Sequence, residues 1–158
     1  MSSRTLCAFV RFAAISAAIC GLALCGYIFP VALSDILGFD PNFGGAYIWL
    51  AFLLAATIPG FIILLFVWKV STAIKRDEVF TVKTGLWIKR AAVLILADAG
   101  FFAAGNAILL IIGLSRPNIF FLSILGCLFG VSLALLAAVL SRYISKAAEL
   151  QEEADGTI

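Results

Sequence analysis

The chain has no histidine among its 158 residues. Imidazole metal ligands, Ser-His-Asp triads, Cys-His dyads and HExxH zinc sites are thereby excluded. Charge is scarce as well. Asp, Glu, Lys and Arg make up 13% of the chain and apolar residues 64%, against roughly 25% and 45–50% in an ordinary soluble domain. So few charged side chains cannot cover a globule of this size, and the missing solvent-facing surface must face lipid.

What is present instead is four long apolar runs. A hydrocarbon core about 30 Å thick needs roughly 20 apolar residues of helix to cross it. Residues 12–33, 46–68, 91–114 and 119–140 meet that length, and none contains Lys, Arg or Glu. They lack the period-two alternation of barrel strands, so helices are the one remaining way to satisfy the backbone in lipid. The predicted fold is an all-α four-helix transmembrane bundle. No internal repeat divides residues 1–158, so they are read as a single transmembrane domain with a loop at 69–90 and a tail at 141–158.

Basic residues set the orientation. Arg4 and Arg11 precede the first span, and Lys69, Lys75, Arg76, Lys83, Lys89 and Arg90 lie between the second and third. Arg142 and Lys146 follow the fourth, which leaves only Arg116 for the opposite side. The positive-inside rule then puts both termini and the 69–90 loop in the cytoplasm, with the plasma membrane as the expected location. The first run is longer than a signal-peptide core. Ile19 and Leu24 also stand before Cys20 and Cys25 where a lipoprotein cleavage site needs a small residue, so a retained helix is expected.

Helices in lipid pack through small residues. Ala13, Ala17, Gly21 and Cys25 form a four-spaced ladder on the first helix, and Gly126, Gly130 and Ala134 form another on the fourth. Both are read as packing faces within one bundle, with self-association as the alternative for the GxxxG pair. Cys20 and Cys25 diverge on a helix and cannot bridge. With Cys7 and Cys127 they read as small reduced hydrophobes.

Asp98 is the one ionisable side chain expected within a span. A mid-helix Asp costs about 2.5 to 3.5 kcal/mol of insertion, which the apolar residues of the third run offset. Its depth, about 10 Å inside the basic end of the hydrocarbon, is shared by Ser16, Cys20, Ser132 and the Pro59-Gly60 pair. Pro59 cannot donate to the Ala55 carbonyl, which predicts a kink and a freed acceptor. Two readings stand: an interhelical hydrogen bond from a neutral Asp98, or a proton or cation site. Asn106 is read as a separate interhelical hydrogen bond.

The loop from Ser34 to Gly45 mixes Asp35 and Asp40 with Ile36, Leu37, Phe39 and Phe43, and reads as a half-turn resting on headgroups. Thr81 is a plausible N-cap for the helix entering the third span, with Phe80 tucked against the bundle. The bases of the 69–90 loop, Lys75, Arg76 and Lys83 among them, suit anionic lipid headgroups or an acidic partner. After the fourth span, helical spacing continues through Ile144, Ala147, Ala148 and Leu150. That predicts about two further turns, ending at Gly156. Glu152, Glu153 and Asp155 then place acids near the basic loop.

The Val79-Phe80-Thr81 turn, the four-span layout and the ending Glu149-Leu-Gln-Glu-Glu-Ala-Asp-Gly-Thr-Ile158 resemble a family of small four-span bacterial membrane proteins of unknown function. Members of that family end in Glu-Asn-Asp-Leu-Thr-Ile. Glu153, Asp155, Thr157 and Ile158 match that ending, while Ala154 and Gly156 depart from it. The resemblance implies a membrane protein often encoded beside a small helix-turn-helix regulator, and it supplies no catalytic residues. The expected function is non-enzymatic, interaction or regulation through the basic loop and acidic tail. The alternative is a small transporter or channel subunit using Asp98. No cofactor, metal or nucleic acid is expected; the expected partners are membrane lipid, including anionic headgroups, and a protein partner or a second copy.

Overall fold

The computed structural model describes residues 3–31, 44–75 and 81–155, which form four helices and, among the described residues, no strand. Helix α1 (Ser3–Ala23) passes into a π-helical turn (Leu24–Ile28) and stays helical to residue 31. Helix α2 covers Gly44–Lys75, α3 Val82–Ile111 and α4 Pro117–Asp155. All four are long and apolar enough to cross a membrane, and the protein is a multi-pass membrane protein. Large apolar side chains lie on the outside, as lipid requires: Phe12, Leu122 and Phe129 are each more than two-thirds exposed.

Helix packing follows chain order, α1 against α2, α2 against α3, and α3 against α4 in the most extensive interface. The interfaces are built from small residues at alternating steps of four and three. On α1 the buried and half-buried stripe is Cys7, Arg11, Ala14, Ala18, Gly21 and Cys25. On α4 it is Ser123, Cys127, Gly130, Ala134, Ala137, Ser141, Ile144 and Ala148, and on α3 Gly85, Ile88, Ala92, Ile95, Ala99, Phe102, Asn106 and Leu109. A mean step of 3.5 keeps a stripe on its partner along the whole helix, as in coiled coils. Gly130 on this stripe lies against Ala99, whereas Gly126 lies off it with open space where a side chain would be. The predicted Gly126 packing position is therefore not part of the intramolecular seam.

The helix ends follow local rules. Thr81 caps α3 as expected, its Oγ1 accepting from the Thr84 amide at 3.3 Å. At the other end Gly113 adopts φ +76°. The Leu114 amide donates to the Leu109 carbonyl and the Gly113 amide to that of Leu110, which is a complete Schellman motif with a left-handed residue that suits only glycine. Pro117 then opens α4 at a first-turn position where its missing N–H is no loss. The connection between α3 and α4 therefore runs over residues 112–116, because Pro117 and Asn118 are already helical.

Helix α2 runs unbroken through Pro59. A further irregularity sits in α1, where the Phe29 amide reaches the Leu24 carbonyl in the π turn. Pro30 follows directly. It lacks the amide that an α-helical turn would direct at the Gly26 carbonyl and its ring crowds that carbonyl, so the widened turn relieves the conflict. The helix beyond Leu140 is longer than the expected two turns, since α4 remains helical to Asp155. Arg76, Phe80, Gly156 and the loop of Asp35 and Asp40 lie outside the described residues.

Candidate functional site

Three polar contacts lock α4 to α3 along the seam. Near the α3–α4 turn, the Ser123 hydroxyl sits 3.0 Å from Asn106 Oδ1 and 2.8 Å from the Ile119 carbonyl, while Asn106 Nδ2 donates to the Phe102 carbonyl at 2.9 Å. Asn106 is only 1% exposed, so its amide is satisfied in a dry position. The Cys127 thiol points at the Ala99 carbonyl, 3.5 Å away. At the basic end the Ser141 hydroxyl donates to the Gly85 carbonyl at 2.7 Å, and a side chain on Gly85 would collide with Ser145 Oγ. Thr84, beside it, is fully buried.

The other interfaces are bonded as well, α1 to α2 by Cys7, Ser71, Cys25 and Thr57. On α1, the Cys7 thiol and Ser71 hydroxyl lie 3.3 Å apart, and Cys25 donates to Thr57 Oγ1 at 3.4 Å from within the π turn. Gly21 meets the ring of Phe61, and Gly105 of α3 would clash with Phe52 if it bore a side chain. The Trp49 indole N–H donates to the Leu114 carbonyl at 2.7 Å, tying the start of α2 to the Schellman turn. Sequence reading missed Ser123, Ser141, Trp49 and Ser71. For Ser123 and Ser141 the available signal was their place on a 3.5-residue stripe of small residues.

Asp98 is half-buried on α3, and its shielded Oδ1 meets no hydrogen-bond partner among the described residues. The register fixed by Phe52 against Gly105 and Lys69 over Trp87 sets it level with Pro59 of α2. Ser132, named as a partner, is exposed and donates to the Leu128 carbonyl of its own helix at 2.9 Å. Ser16 is half-buried on α1, whose backbone packs on α2 and not on α3. The structure therefore does not gather Ser16, Ser132 and Asp98 into one site, and among the described residues no three Cys, Asp or Glu side chains converge to hold a metal.

The basic end sorts its cations into two groups. The Arg11 guanidinium lies 5.0 Å from the Trp68 ring centre, and Lys69 Nζ lies 5.8 Å from that of Trp87 and 6.0 Å from that of Phe66. These pairs cover the junction of α1, α2 and α3. Lys89, Arg142 and Lys146 instead line one groove between α3 and α4, with Ser141, Ser145 and Glu149. Lys75 and Lys83 are exposed where α2 ends and α3 begins. Glu153 is exposed near the end of α4, on which Glu152 and Asp155 also lie; the side chains of those last two fall outside the description.

This arrangement offers hydrogen bonding, cation–π contacts and a cationic groove. No curated protein and no solved structure matches the chain. Residues 8–158 match the family described as Protein of unknown function (DUF2975), and the chain, with its four apolar helices of membrane-crossing length, belongs to that family.

Proposed function

We propose that this protein is non-enzymatic and acts through reversible contact with a protein partner at its basic end, the cytoplasmic face of the bacterial plasma membrane by the charge bias. The observation that carries the reading is α4. It has 39 residues, about 58 Å of helix against a hydrocarbon core of about 30 Å. The part beyond Leu140 is braced on α3 by Ser141 and Ser145 against Gly85. Glu149 and Glu153 are exposed on this braced extension, so a partner meets a preorganised surface and loses little entropy in ordering it. Exposed charge pairs contribute only about 0–1 kcal/mol each and weaken with salt, which suits docking that reverses.

Crosslinking in native membranes tests this. The full chain is expected to yield a partner adduct that a chain truncated after Gln151 loses while still accumulating as folded protein. Unchanged crosslinking after truncation overturns the reading.

A second reading, transport through Asp98, is favoured by its shielded and unpartnered Oδ1. It predicts proton flux in proteoliposomes that Asp98→Asn abolishes, and absence of flux from the native chain removes it.

A further inference from the structure

We propose that the groove between α3 and α4 at the basic end binds the phosphate of an anionic phospholipid. The groove has a volume of about 600 Å³ and sets Lys89 of α3 opposite Arg142 and Lys146 of α4, three bases against the single acid Glu149. Its floor is rigid, because the Ser141 hydroxyl is held 2.7 Å from the Gly85 carbonyl and Ser145 packs over Gly85. Arg142 and Lys146, on the same turns, are therefore presented from a fixed backbone. Their charge is not spread along the edge of the molecule.

Depth decides in favour of lipid. Lys89 stands two residues before Ala91, where the third apolar run begins, and Arg142 two residues after Leu140, where the fourth ends. Both therefore enter the layer just outside the hydrocarbon, where headgroup phosphates sit. Apolar room adjoins the cations. Lys89, with Arg90, also rims a second groove of about 470 Å³ walled by Phe66, Leu86, Val93 and Leu94, which fits an acyl chain and has no use for a free phosphate ion.

Other cations and the chain's own acid fit less well. Arg11 and Lys69 already stack on aromatic rings, so anionic attraction centres on the α3–α4 side. The acid of α4 at Glu153 lies on the same continuous helix, carried about 10 Å beyond Lys146 by the helical rise. It is held away from the groove and cannot fold back into it.

The lipid site is separate from the protein contact proposed above, and truncation after Gln151 leaves every groove residue in place. The test is native mass spectrometry of the full chain, delipidated in detergent and titrated with phosphatidylglycerol, phosphatidylcholine or inorganic phosphate. Preferential retention of phosphatidylglycerol is expected, also in the truncated chain. Each base removed among Lys89→Gln, Arg142→Gln and Lys146→Gln should weaken retention roughly fivefold, while Arg116→Gln at the opposite end leaves it unchanged. Circular dichroism and monodisperse elution check that each variant is folded, and the single variants carry the test if the triple one is not. Equal retention of the two lipids, displacement of phosphatidylglycerol by inorganic phosphate, or retention in folded variants at the native level overturns the proposal. So does a change from monomer to dimer in step with the bases, which would mark the groove as a contact with a second copy.

Discussion

Asn106 and Asp98 lie eight residues apart on α3 and show how differently lipid treats two polar side chains. Asn106 has both halves of its amide occupied, the oxygen by Ser123 and the nitrogen by Phe102. Asp98 has a shielded oxygen without a partner among the described residues. Interhelical hydrogen bonds in membranes average about 0.6 kcal/mol and reach about 1.7. Asn106→Leu should exceed that average, because it leaves the Phe102 carbonyl without the Asn106 donor and must fit a branched side chain into a dry seam. We expect a loss of about 1–2 kcal/mol, read as a lower melting temperature in detergent. Ser123→Ala should cost less, and the double variant less than the sum, since the two share one bond. Asp98→Leu should leave stability unchanged or raise it, because it removes an unsatisfied oxygen. A large loss there would mean that Asp98 makes a bond in the folded protein. Glycines divide in the same way: Gly105→Ala pushes into the Phe52 ring and should cost about 1–3 kcal/mol, whereas Gly126→Ala, open on all sides, should be neutral in a monomer.

At the level of helices, the caps and the stripes decide where each element ends and what it touches. Gly113 at φ +76° cannot accept a Cβ without strain, so Gly113→Ala should cost about 1 kcal/mol by the ordinary left-handed penalty. It should also loosen Trp49, whose indole holds the Leu114 carbonyl at the same turn, and the tryptophan emission of Trp49 in a variant lacking Trp68 and Trp87 reads that loosening. The existence of four helices was legible because lipid leaves the backbone no other option. The Thr81 cap was legible from its own chemistry. The length of α2 at the basic end was not, because apolar counting stops at the first charge, while Lys is a good helix former and carries α2 to Lys75. The seam was misread at Gly126 for a related reason. A fixed step of four drifts around a helix, and steps alternating between four and three pick out Cys127, Gly130 and Ala134 instead. Of the intramembrane polar residues, the depth of Asp98 could be computed from the helical rise. What faces it depends on which helices are neighbours, and composition does not encode that.

For the molecule as a whole, backbone packing in chain order makes α3 the hub, with α2 on one side and α4 on the other. The α3–α4 interface is the most extensive and the cationic groove lies on it, so its basic end is the surface proposed above to meet a partner or lipid. The side of the membrane that this end faces is proposed from charge alone. Ten of the eleven Lys and Arg residues fall there, in short flanks where the positive-inside rule is strongest, and Arg116 alone falls at the other end. Four spans, an even number, require both termini on that same side. Cysteine accessibility in intact cells provides the test, in a background with Cys7, Cys20, Cys25 and Cys127 replaced by Ala. Cys7, Cys25 and Cys127 each make an interhelical contact, so the background must first be shown to fold. A membrane-impermeant maleimide applied from outside should label Asn42→Cys and leave Lys75→Cys untouched until the cells are opened. Labelling of Lys75→Cys in intact cells with none at Asn42→Cys would invert the molecule, and the groove of Lys89, Arg142 and Lys146 would then face the outer leaflet.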